Sequence, residues 1–296
     1  MSGTAEQTTT VRPPRTAGTV RRFARRFGRQ PIAMSALAVL VVLVTAAVFA
    51  PLVARHSPTA QNLLHRNAGP DGTHWFGTDG LGRDLFARMV FGARVTLVAP
   101  LIAVGVGVLL GVPLALVAGL RGGWLDAAAS RGADAILALP GLIVAMAIVA
   151  ARGPSTVNAM TAVGFGFAPR LFRLVRGSTL AVRDEPFIDA SRLAGASNRR
   201  LVVSHVLPNV APALIVQATI LLGVAVLAEA GLSFLGIGVE PPEASWGVLL
   251  RTAFDNLSKT GFQAIPPGVA ISVLILAFQF IGDGMRDSLG QEVRRG

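Results

Sequence analysis

The chain has 296 residues, of which 52% are hydrophobic and only 15% charged, with a formal net charge of +11. A soluble domain would carry about 25% charged residues, so the deficit points to a bilayer and away from a soluble globular fold. The absence of cysteine excludes disulfides and thiolate metal sites, and nucleic acid is set aside as a partner because the arginines follow the apolar segments in blocks.

Residues 1–30 predict a cytoplasmic basic tail. Met1 to Gly18 is rich in Thr, Pro and Gly with little to bury, the composition of a disordered segment. Arg21, Arg22, Arg25, Arg26 and Arg29 follow, with Phe23 and Phe27 one helical turn apart. That spacing suits a short amphipathic helix lying on anionic lipid; a topology signal and nothing more is the competing reading. From Ile32 to Ala54 run 23 residues without a charge, about 35 Å as a helix against a hydrocarbon core of about 30 Å. A signal peptide has a shorter apolar core of about 7–15 residues, so an uncleaved anchor is expected.

The next segment holds HWFGTDGLGRD, His74 to Asp84. Its Gly and Thr residues allow tight turns, Asp79, Arg83 and Asp84 are placed to pair locally, and Trp75 and Phe76 suit a membrane interface. His56, His65 and His74, with Asp71 nearby, are candidate metal ligands. Their spacing does not bring them to one face of a helix and no cysteine assists, so no metal and no cofactor is expected on this chain.

Further spans are predicted at Val95 to Leu120, where Gly105, Gly107, Gly111 and Pro113 permit kinking or close packing, at Ala135 to Ala151, at Val210 to Leu235 and at Ala264 to Ile281. Ser155 to Ala168 is short and rich in Gly and Thr, and hydropathy leaves it undecided. Charge decides it. With Ser155 to Ala168 crossing, 19 of the Lys and Arg residues fall inside and eight outside, as the positive-inside rule prefers. The expected fold is an all-α integral membrane protein of six spans with cytoplasmic N- and C-termini. Its organisation is a tail (1–30), the first span and an extracytoplasmic loop (31–94), a core (95–289) holding a loop at 170–209, and a C-terminal tail (290–296).

That loop carries seven arginines and the segment FIDASRLAGASNRRLVVSHVLPN, Phe187 to Asn209. Asp184 and Glu185 put negative charge at a helix start, and Pro186 fits its first turn. Gly195 ends this helix, Ser197 caps a second, and Pro208 is expected to stop it. The predicted product is a helix–glycine–helix elbow. The pattern resembles the EAA loop of permease subunits of bacterial ABC importers, with Asp189, Ala190 and Ser191 as the opening triplet, Gly195 as the glycine and Val206-Leu207-Pro208 as the close. Asp in place of Glu, and Ser in place of the second Ala, are departures from the family form. The resemblance implies that the elbow docks on a cytoplasmic ATPase through Phe187, Asp189, Ala190, Ser191, Gly195, Ala196, Ser197, Leu207 and Pro208.

Three more segments agree in order. His74 to Asp84 resembles the signature before the second span of dipeptide and oligopeptide permease subunits of the DppC/OppC type. Ala228 to Leu250 resembles that family's fifth span and outer loop, and Gly282 to Leu289 its C-terminal end. The resemblance implies a type I ABC importer permease fold, a DppB/OppB-like permease as heterodimer partner, two ATPase subunits, and an extracytoplasmic peptide-binding protein. The implied cargo is di- or oligopeptides, with nickel or another small solute as the alternative within the class. A self-sufficient secondary transporter or channel is the rival from another class, and it would predict internal repeats or broken-helix ion sites.

Catalytic motifs are missing. The only lysine, Lys259, follows Ser258 and not glycine, so there is no Walker A loop; no Gly-x-Ser-x-Gly or His-Glu-x-x-His pattern occurs either. The chain is expected to be a non-catalytic membrane subunit, with ATP and Mg²⁺ bound by its partners. Glu229, Gln217, Gln279 and Asn158 are candidates for lining a translocation pathway, because polar groups within a membrane are costly. Hydrogen bonding between helices is the competing role for the amides, and capping the turn around Gly231 and Ser233 for Glu229. Asp283, Arg286 and Asp287 have the spacing of intrahelical pairs, but a solvated anchor at the inner end of the last span is the preferred role.

Overall fold

A computed structural model describes residues 16–240 and 242–293. The outer parts of both expected tails, residues 1–15 and 294–296, lie outside the described residues, as does Pro241 within the segment from Ala228 to Leu250. Among the described residues the ordered elements are helical, apart from a single β-bridge between Thr78 and Asp84.

Helix α1 (Thr16–Phe27) forms where the spaced phenylalanines predict it, and the rings of Phe23 and Phe27 stack at 5.9 Å. Phe27 is buried against Ala33, Ala36, Ala277 and Ile281, so protein covers part of the apolar face assigned to lipid. Helix α2 (Pro31–Val48) begins on a proline, whose missing N–H is harmless in a first turn. At its other end Arg94 donates to the carbonyls of Ala47 at 2.7 Å and Val48 at 3.0 Å, satisfying groups a helix end leaves orphaned. The short α3 (Ala50–Val53) follows.

Helix α4 (Leu85–Arg121) has 37 residues, about 55 Å in length, and so outruns a bilayer core of about 30 Å. After it come α5 (Gly123–Leu137) and α6 (Gly141–Arg152), which meet at 89°. This corrects the straight span expected from Ala135 to Ala151. Pro140 lacks a donor and pushes the preceding residue out of the helical region, so uniform hydropathy there conceals a corner. With 12 residues, α6 is about 18 Å long, too short to cross alone.

The undecided segment from Ser155 to Ala168 lies in one continuous helix, α7 (Thr156–Arg183), 28 residues long, with the Ser155 side chain accepting from the Val157 N–H. It packs along α4 through a seam of small residues. A Cβ on Gly111 would overlap the Ala168 carbonyl oxygen, and one on Gly164 the Ala103 carbonyl oxygen. The two backbones therefore touch, the device by which helices associate where no hydrophobic driving force exists. Around this seam Ala99, Ala103, Met160, Phe167, Leu171 and Leu221 form the main core.

Helices α10 (Leu207–Phe234) and α12 (Ile265–Val293) complete the bundle, with α11 (Trp246–Asp255) folded back between them. Four stretches are long and apolar enough to cross a membrane: Pro31–Val48, Leu85–Arg121, Asn198–Phe234 and Gly261–Leu289; the bent pair α5–α6 makes a fifth if it counts as one span. The arginines and the Gly and Thr content of α7 make it less apolar than these. On α12, Asp283, Arg286 and Asp287 are exposed, and among the described residues no ion pair joins them, in keeping with a solvated anchor. Water solvates such charges about as well as a surface partner would.

Candidate functional site: an exposed elbow

The arginine-rich loop folds as a rigid corner. Helix α7 ends at Asp184, and α8 (Pro186–Leu193) starts at once, with Pro186 in its first turn and Glu185 at its N-cap. Its far end closes through two backbone bonds, Gly195 N–H to the Arg192 carbonyl at 2.9 Å and Ala196 N–H to the Ser191 carbonyl at 3.0 Å. This is the Schellman arrangement, which needs a left-handed residue, and Gly195 has φ +82°. Nothing lies within 4 Å of the place a Cβ would take. Gly195 is thus required by backbone conformation and not by crowding. Ser197 then accepts from the Arg200 N–H at 3.3 Å and caps α9 (Asn198–Leu201).

The second helix does not stop at Pro208, contrary to expectation. A π-turn over Val202–Val206 links α9 to α10, with the Leu207 N–H reaching the Val202 carbonyl. The wider ring absorbs the discontinuity, and Pro208 falls in the first turn of α10, where its missing donor is not needed.

The elbow is anchored from below and bare above. Ile188, Leu201 and Val206 are fully buried, and Val206 packs with Val112, Leu116, Phe172 and Val175 on α4 and α7. Phe187, Asp189, Ala190, Gly195, Ser197, Leu207 and Pro208 are exposed, and Ser191 and Ala196 half-buried. Leu193, not among the residues picked from sequence, is 91% exposed at the tip. With Phe187, 43% exposed, it gives the corner a small apolar tip. His205, also missed, holds the two arms together. Its ring lies 5.8 Å from that of Phe187, its Nε2 is 3.4 Å from Ser191 Oγ, and its carbonyl accepts from Asn209 at 2.8 Å. An apolar residue and a histidine among arginines were the signals available in the sequence.

Three of the arginines brace the helices leading to the elbow. Arg176 grips Asp126 of α5 with two hydrogen bonds, one of them 2.6 Å from Nη2 to Oδ2. Arg183 donates to the Gly119 carbonyl at the end of α4 at 3.0 Å. Arg173 pairs with Asp134 on an exposed surface. Nearer the tip Arg192 lies 3.5 Å from Asp189.

The four candidate pathway residues are not brought together. Glu229 is 1% exposed and its Oε1 accepts from Ser233 at 2.8 Å, under the tight contact of Gly247 with α10. Asn158 donates to the carbonyls of Arg152 and Gly153 and so closes α6. Gln279 lies against Gly223 on α10. Gln217 is half-buried, about 18 Å along α10 from Glu229.

At the opposite end, residues 55–84 cap the bundle. Asp79 accepts from the N–H groups of Leu81 and Arg83 and pairs with Arg83 at 2.8 Å. Asp71 accepts from Thr73 and His74; the backbone N–H of His74, then that of Thr73, holds its carboxyl below the usual range. His65 bonds to Asn62 at 2.9 Å and is drawn away from the other histidines. His74 turns instead to Asp84, Nδ1 to Oδ1 2.9 Å, and its ring lies 4.8 Å from that of His56, tilted by 37°.

Long apolar helices around a small-residue seam, with one rigid corner left bare at the arginine-rich end, define a membrane-embedded transport component. The family described as binding-protein-dependent transport system inner membrane component matches residues 111–295, and the N-terminal membrane domain of oligopeptide transport permease C matches residues 19–70. The chain belongs to this family: it is a multi-pass inner-membrane permease subunit of an ABC importer. It is 38% identical to the dipeptide transport system permease protein DppC of Alkalihalophilus pseudofirmus, over 93% of this chain and 90% of that one. It is 37% identical to the glutathione transport system permease protein GsiD of Escherichia coli, over 96% and 94%. Among solved structures, two inward-facing crystal forms of the MetNI methionine ABC transporter cover 69% of the chain at TM-scores of 0.54 and 0.55 and 22% identity, a likeness of fold.

Proposed function

We propose that this chain imports di- or oligopeptides as one half of a heterodimeric pathway, driven by two separate ATPase subunits, one of which takes hold of its elbow. The observation that carries this reading is the glycine-locked corner at 186–201, which presents Leu193 and Phe187 outward on a base fixed by Ile188, Leu201 and Val206. A docking surface needs this combination of apolar anchor and rigid support. ATP and Mg²⁺ bind the partner subunits. Closure of the ATPase pair moves the elbow, and α7 and α10, which leave its two ends, carry that movement into the spans. An extracytoplasmic binding protein delivers the cargo. Peptides are favoured because the named relatives serve a dipeptide and glutathione, itself a short peptide.

The topology belonging to this reading has six crossings with both ends cytoplasmic, arranged as tail 1–30, first span and outer loop 31–94, core 95–289 and tail 290–296. It is supported by α7, whose contact with α4 along the glycine seam suits a full crossing. Reporter fusions after Gly177 and at the C-terminus then read cytoplasmic, and one near Gly72 reads external; an external signal at Gly177 removes the model. For cargo, deleting the gene abolishes uptake of short peptides and confers resistance to toxic peptide analogues while nickel uptake is unchanged. Normal peptide uptake with a lost solute of another kind overturns the cargo and leaves the family intact.

A further inference from the structure

We infer that the cap at 55–84 holds a metal-ion site of the zinc class, built from His56, His74 and Asp84, independently of which solute the subunit transports. The ligand atoms of these three side chains all lie within 4.8 Å of one another. They come from three separate places: His56 just after α3, His74 in the turn that Asp71 organises, and Asp84 at the N-cap of α4. Two imidazoles and one carboxylate are a donor set suited to zinc or a neighbouring divalent ion, with a fourth position for water.

Each ligand is prepared for this role. Asp84 is 4% exposed, and its Oδ2 is committed to the Ala87 N–H at 2.7 Å, which fixes the carboxylate and aims Oδ1 at His74. His74 is fixed by its backbone bond to Asp71 and by Asp84. His56 is half-buried, makes no hydrogen bond among the described residues and lies beside the His74 ring, so no polar bond holds it back from turning inward. Metal–ligand bonds of about 2.0–2.1 Å separate tetrahedral donors by roughly 3.3 Å, so His56 swings inward while the His74–Asp84 pair, at 2.9 Å, gives up its shared proton to the solvent and opens slightly. The neighbouring cations are occupied: Arg55 lies over the Trp75 ring, and Arg83 and Arg88 face Asp79. A bound ion would pin the chain leaving the first span to the start of the longest helix.

The test uses the assembled transporter, purified without a polyhistidine tag, stripped with chelator and titrated with Zn²⁺. Wild type binds one equivalent that His56→Ala and His74→Ala each weaken by about 100-fold or more, whereas His65→Ala leaves it unchanged. His56→Ala spares every hydrogen bond of the cap, so unaltered ATP-driven uptake reports that its fold is intact. Equal Zn²⁺ binding by wild type and His56→Ala, or none by wild type, overturns the site. X-ray absorption of the Zn²⁺-loaded wild type, which needs no variant, shows two imidazoles in the first shell; a shell without imidazole also overturns it.

Discussion

The two ends of this molecule are built on opposite plans. At the cap, Thr78, Asp79, Asp84, Arg88 and Gln263 are buried and answer one another: Asp79 meets Arg83 and Arg88, and Gln263 donates to the Thr78 carbonyl at 2.7 Å. At the elbow almost nothing polar is buried, the side-chain bonds are short-range, and Leu193 stands 91% exposed at the tip. The cap ties most of its polar groups together within the chain, and its bare leucines, Leu63 and Leu64 at 62% and 92% exposure, sit on one short turn. The elbow offers its apolar tip from a corner braced by buried residues. Substitutions should therefore damage folding at the cap and seam, and coupling at the elbow.

The largest effect is expected from Asp79→Ala, which leaves Arg88, 2% exposed, without its carboxylate. An unpaired buried charge costs about 3–5 kcal/mol, so thermal unfolding followed by size-exclusion chromatography should show a large loss of folded subunit. Next comes the seam: Gly111→Val forces α4 from α7 at the Ala168 carbonyl, and overpacking of this kind costs about 1–3 kcal/mol. A wild-type melting temperature would show that the seam is looser than described. Gly195→Ala has room for its Cβ but not the backbone conformation, so about 1 kcal/mol is expected. Here the fold should survive while substrate-stimulated ATP hydrolysis falls. Arg173→Ala breaks an ion pair exposed on both sides, and less than about 1 kcal/mol should be lost.

Much of the elbow was legible because its signals are local. Pro186 opens a helix, Gly195 takes a left-handed turn and Ser197 caps, each within a few residues of its partner. The four long apolar helices were legible through hydropathy, whereas α7 forms as a helix and its crossing rests on the sorting of charge. What hydropathy could not resolve was direction: Ala135 to Ala151 is uniformly apolar, yet the chain turns through 89° at its one proline. Pro208 was misplaced because a π-turn upstream removed the clash that would have ended the helix. Spacing along one helix does not bring the histidines together; His56, His74 and Asp84 meet because the cap folds back on the start of α4. Exposure was invisible too, which is why Leu193 and His205 were missed.

The central claim, that the bare elbow is where the ATPase takes hold, is tested most directly at Leu193. The chain contains no cysteine, so Leu193→Cys can be cross-linked to single cysteines placed in the groove of the partner ATPase within the assembled transporter. The account predicts a specific cross-link at Leu193→Cys that changes in yield when ATP is added, and none from a cysteine at Leu64 on the cap. Equal labelling at both ends, or no cross-link at Leu193→Cys in a complex that still hydrolyses ATP on substrate addition, would contradict it.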